Sequence, residues 1–96
     1  MQYYHRSPIS PDEAIAQAAA YFGARMSPTE ELPRRLRFAS ALGELSVNVL
    51  AEGGHYTRVR VATNQPGESE LDKVAKRFLT LLHTSVDPTH RPIGAY

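Results

Sequence analysis

The chain has 96 residues, a formal net charge of +1, 42% hydrophobic and 22% charged residues, and no cysteine. That size suits one domain with one modest core. The near-neutral balance excludes a global electrostatic pull toward nucleic acid or an acidic membrane. The missing thiols exclude disulfides, thiolate metal ligands and cysteine nucleophiles.

Zero cysteine fits a reducing compartment, and the opening MQYYHRSPIS lacks the charged start and apolar run of a secretory signal. A cytoplasmic location is therefore expected. The run AIAQAAAYFGA is too short and too rich in alanine to span a bilayer, so no membrane partner is expected.

Residues 1–7 form an optional edge strand, because Tyr3 and Tyr4 have strand propensity. A helix is predicted over 10–26. Ser10 is a good N-cap, Pro11 suits the first helical position, and Glu13 completes a capping box. Ile15, Ala19, Phe22 and Met26 make one apolar stripe at spacings of four, three and four. The stretch 27–33, SPTEELP, carries two prolines and reads as a loop.

Three strands are predicted next, over 34–41, 44–52 and 55–63. Leu36 and Phe38 point inward on the first, Leu45, Val47, Val49 and Ala51 on the second, and Thr57 and Val59 on the third. A turn around Leu42 and Gly43 pairs Phe38 with Val47 and Leu36 with Val49. A three-residue loop over 52–54, with Gly54 left-handed, sets Val49 opposite Thr57 and Val47 opposite Val59. The outward side then forms rows: Arg35, Leu50 and Tyr56; Arg37, Asn48 and Arg58; Ala39, Ser46 and Arg60.

A second helix is predicted over 68–84. Glu68, Glu70 and Asp72 sit early and Lys73, Lys76, Arg77 and His83 later, as the helix dipole favours. Its buried stripe reads Leu71, Val74, Ala75, Phe78, Leu81 and Leu82. The remainder, 85–96, has two prolines and a glycine after residue 86 and reads as an extended tail, with Ile93 and Tyr96 as apolar anchors for a partner groove.

These elements predict an α+β fold. A three- or four-stranded antiparallel meander sheet carries two helices packed on one face, in one domain over 1–84. The helix–three strands–helix core over 11–84 resembles the topology of double-stranded-RNA-binding domains. DKVAKRFLTLL resembles the basic start of that family's second helix, whose lysines meet phosphates. Here ESELD precedes it. With the optional first strand, the order of elements is also similar to a shortened helix-grip domain or a TATA-binding-protein half-domain. A helix-grip likeness implies an internal pocket for a small ligand.

The outward arginines are the leading candidate site. Residues 34–63 hold five arginines against two glutamates. Arg35, Arg37, Asn48, Leu50, Tyr56, Arg58 and Arg60 would form a binding face. It reads as a solvated sheet, a docking face for a protein or a second copy, or a phosphate-binding face on which Tyr56 stacks on a base.

The histidines, His5, His55, His83 and His90, have no metal-ligand spacing. Glu30, Glu31, Glu68, Glu70 and Asp72 read as ordinary loop and helix-start carboxylates. No nucleophile elbow or phosphate-binding loop occurs in the sequence. Small inward residues such as Ala18, Ala19, Val47, Val59 and Ala75 favour close packing over a pocket. The expectation is a non-enzymatic interaction module, homodimeric or part of an assembly, with no cofactor and no metal. A nucleic-acid binder and a small-ligand domain are the alternatives.

Overall fold

The computed structural model describes residues 1–86. The elements run β1 (Gln2–Ser7), α1 (Pro11–Gly23), β2 (Ser27–Leu32), β3 (Arg35–Ser40), β4 (Gly43–Glu52), β5 (Tyr56–Thr63) and α2 (Glu70–Val86). The fold is α+β, with two helices and an antiparallel five-stranded sheet ordered β1-β5-β4-β3-β2. The optional first strand is present and pairs with β5.

The expected three or four strands become five because 27–33 is not a plain loop. Ser27–Leu32 pairs with β3, with its register shifted between Pro28 and Glu30. As an edge strand it needs no backbone partner on one side, so Pro28 costs little there. Nor does it bury an alternating apolar face, since only Glu30 is even half-buried. This removed the periodic signal by which a strand is read.

α1 begins as its capping residues dictate: the Glu13 amide donates to Ser10 Oγ at 3.1 Å. It ends at Gly23, short of 26, where the amides of Arg25 and Met26 both turn back to the Phe22 carbonyl. Its buried line is Ala14, Ala18 and Phe22, with Ile15, Ala19 and Met26 only flanking the core. Methyl-sized side chains let the helix lie close to the sheet, so the stripe turns by about one residue from the expected one.

α2 is also rotated. Leu79 is fully buried, whereas Leu81, expected inward, is 49% exposed. The inward parity of the strands holds for Leu36, Phe38, Leu45, Val47, Val49, Val59 and Val61, which are all buried and share a core with the helices, whereas Ala51, expected inward, is exposed near the end of β4.

The register differs from expectation by two residues in both hairpins. Leu36 faces Val47 and Phe38 faces Leu45, while Val49 faces Val59 and Val47 faces Val61. The first turn is the tight pair Ala41 and Leu42, closed by Ser40 opposite Gly43. The second loop keeps the expected length of three but occupies 53–55, because Glu52 pairs with Tyr56. Both Gly53 and Gly54 are left-handed there.

The core is filled by aromatic rings. Phe22 lies 5.0 Å from Phe78 and 5.7 Å from Phe38, centroid to centroid. No buried side-chain nitrogen or oxygen among the described residues lacks a hydrogen-bond partner. No helix among the described residues is long and apolar enough to cross a membrane.

Candidate interaction face

The sheet face away from the helices is built by strand alternation alone. Arg35 and Arg37 lie on β3, Asn48 and Leu50 on β4, and Tyr56, Arg58 and Arg60 on β5, so all seven expected residues share it. The two-residue register shift changes their neighbours. Arg35 faces Asn48, which faces Arg60, while Leu50 faces Arg58 and Tyr56 faces Glu52. The rows expected from sequence are thereby replaced.

The edge strands add residues that were not foreseen. β1 places Tyr4 opposite Arg60 and Arg6 opposite Arg58. β2 places Glu30 opposite Arg37 and Leu32 opposite Arg35. The β1 contribution had a sequence signal: Gln2, Tyr4 and Arg6 alternate with Tyr3, His5 and Ser7. The β2 contribution had none.

Two glutamates organise the arginines. Arg6 and Arg58 face each other directly, a like-charge arrangement that is unfavourable by itself. Glu52 lies between them, 2.9 Å from Arg6 and 3.6 Å from Arg58. Glu30 does the same for Arg35 at 2.8 Å and Arg37 at 3.5 Å. These pairs are partly solvated, so each adds at most about 1 kcal/mol of stability. Their larger effect is to hold guanidinium planes in place.

Arg60 lies between the two clusters. Among the described residues it meets no carboxylate within salt-bridge distance, and its Nε donates to Gln2 Oε1 at 3.2 Å. The same Gln2 oxygen accepts the Tyr4 hydroxyl at 2.8 Å. The Arg58 guanidinium stacks 4.3 Å from the centre of the Tyr4 ring. Leu50 stands 61% exposed, and with Leu32, Pro33, Arg35 and Asn48 it borders a shallow, mainly apolar depression.

No protein-family model matches this chain, and no curated protein matches it significantly in sequence.

The face carries arginine, tyrosine, leucine and asparagine but no lysine; both lysines of the chain, Lys73 and Lys76, belong to α2. The helix resembling an RNA-binding one begins with Glu70, Leu71 and Asp72, and Lys73 is engaged by Glu70 at 3.1 Å.

Asp72 departs from the surface role expected for it. It is fully buried, and four donors converge on it: the Tyr3 and Thr63 hydroxyls, and the Ser69 amide and hydroxyl. Burial pushes its carboxyl up, but the hydrogen bonds from Ser69, Thr63 and Tyr3 outweigh this and hold it below the usual carboxylate range. A carboxylate so fully engaged is a cap for α2, not a proton donor.

The histidines are less scattered than their sequence positions imply, because the His5 and His83 rings meet edge-on at 5.4 Å. Burial, and then the nearby His83, pull the His5 imidazole below its ordinary value. Among the described residues no three metal-ligating side chains come together. The tail anchors Ile93 and Tyr96 lie outside the described residues.

Proposed function

We propose that this chain is a non-enzymatic interaction module, acting in the cytoplasm, that docks a protein partner or a second copy on its outer sheet face. The single observation that carries the reading is the composition of that face. Arginine and tyrosine are enriched, and lysine depleted, at protein interfaces relative to other surfaces. Arg6, Arg35, Arg37, Arg58, Arg60, Tyr4 and Tyr56 stand here around exposed Leu50 and Leu32, with no lysine among them.

Preorganisation supports the same reading. Glu30 and Glu52 hold four arginines in fixed geometry, which lowers the ordering entropy a partner must overcome. The apolar depression beside Leu50 is suited to one aliphatic anchor.

A nucleic-acid reading has one observation in its favour. Among the described residues Arg60 meets no carboxylate, and it sits between Asn48 and Tyr4, a group suited to phosphate beside a stacking ring. The glutamates argue the other way, since they neutralise the flanking arginines.

Affinity capture from the source cells, comparing the wild type with a Leu50→Asp/Arg58→Glu variant, tests the proposal. Proteins retained by the wild type and lost from the folded variant support it. Equal retention by both overturns it. Binding to oligonucleotides that weakens steeply with added salt, and vanishes in the variant, would instead select the nucleic-acid reading.

A further inference from the structure

The two edges of the sheet are not alike. The β2 edge carries Pro28, an irregular register after it, and the adjacent carboxylates Glu30 and Glu31. Proline, bulges and charge are the devices by which edge strands avoid pairing with another chain. The β1 edge has none of the first two. Its register with β5 is unbroken from Gln2 to Ser7, and the segment QYYHRS carries no proline and no acid.

The direction of the free backbone groups on β1 follows from one pair. The Met1 ammonium donates to the Thr63 carbonyl at 3.0 Å, and the Thr63 amide donates to the Met1 carbonyl at 2.9 Å. Met1 and Thr63 are thus a hydrogen-bonded pair in the same register as the rest of β1. In an antiparallel ladder such pairs alternate. Tyr3, His5 and Ser7 therefore turn their amides and carbonyls toward β5, and Gln2, Tyr4 and Arg6 turn theirs away from it. No described backbone group meets that second set.

We infer that β1 is a self-association edge, and that two copies of this chain join antiparallel through it about a two-fold axis at Tyr4. This register uses every outward group. Tyr4 pairs with Tyr4 of the partner subunit, and Gln2 with Arg6 of the partner subunit, each pair exchanging both backbone bonds. Neighbouring choices fail: an axis at Arg6 sets like charges face to face, and an axis between Tyr4 and His5 mates bonded with non-bonded positions and swaps the faces.

The arrangement is isologous and closes as a dimer. It extends the sheet across both copies, with all four helices on one side and two arginine faces continuous on the other. The inference concerns the edge and does not depend on the outer-face reading.

Sedimentation equilibrium of the full chain over a wide concentration range tests it, together with amide hydrogen exchange. A dimer is expected, with the Tyr4 amide gaining protection as concentration rises. Tyr4→Pro removes an amide that β5 does not use, so the fold should persist by circular dichroism. The loss of both bonds at the axis should raise the dissociation constant about tenfold or more.

Gln2 variants keep the test decisive if the proline variant fails to fold. Gln2→Glu, set against Arg6 of the partner subunit, should tighten the dimer, and Gln2→Arg should loosen it. A chain that stays monomeric at NMR concentrations overturns the inference. So does a dimer broken by Leu50→Asp but indifferent to the Gln2 substitutions, which would place the contact on the sheet face.

Discussion

The hydroxyl of Tyr3, in the first strand, donates to the carboxylate of Asp72 in the last helix at 3.0 Å, across 69 positions of sequence. Thr63 of β5 donates to the same oxygen at 2.8 Å. The other oxygen accepts the Ser69 amide at 3.3 Å, while the Asp72 amide returns a bond to Ser69 Oγ. This is a capping box buried under an edge strand, and it ties β1, β5 and α2 at one point.

Asp72 should therefore dominate the acid limb of stability. Its folded pKa is depressed, so its contribution is present above the unfolded value near 4 and is lost as pH falls through the still lower folded value. Asp72→Asn sets an amide NH2 against the donors it faces and should cost about 1–3 kcal/mol at neutral pH. Urea titrations of both proteins should show the gap shrinking at acid pH. A gap unchanged from pH 7 to strongly acid conditions would refute the assignment.

Gly43 and Glu68 make an opposed pair of backbone tests. A Cβ on Gly43, at φ +133°, would lie 2.6 Å from Asn64 Oδ1, the group that receives the Glu44 amide. Gly43→Ala should lower stability by about 1–3 kcal/mol. Glu68 holds φ +70° without being glycine, so Glu68→Gly should raise stability by about 0.5–1 kcal/mol, the relieved strain less the added chain entropy. Thermal melts of the two variants moving in the same direction would contradict this account of the turns.

The rotation of α2 can be checked by truncation. Leu79→Ala, at a fully buried position, should cost about 2–5 kcal/mol. Leu81→Ala, half-exposed, should change stability by no more than about 0.5 kcal/mol. Comparable losses at both would restore the stripe that the sequence implies.

On the outer face, Glu52→Gln should change stability by less than about 1 kcal/mol, because its partners are largely solvated. It should also unmask Arg6 and Arg58 and raise the salt needed to elute the protein from heparin. A loss above about 2 kcal/mol would mean that the cluster is there to hold the sheet together and is not held ready for a partner.

Strand alternation made the faces legible before any coordinates. Val47, Val49, Val59 and Val61 could only turn one way, and Arg35, Arg37, Arg58 and Arg60 the other. Parity has a period of two, so it could not separate the observed register from one displaced by two residues. That choice was made by the tight turn at Ala41 and Leu42, by the Gly53, Gly54 and His55 loop, and by the close approach of Asn64 to Gly43.

By itself the sequence determined an α+β chain, the capped start of its first helix, and which side of each central strand is buried, because capping and alternation act within a few residues. Only the tertiary structure decided that Ser27–Leu32 is a strand, that Glu30 and Glu52 bridge arginines, and that Asp72 is sealed beneath Tyr3. Those features depend on groups brought together from distant positions, and no local pattern of residues encodes which distant group will arrive.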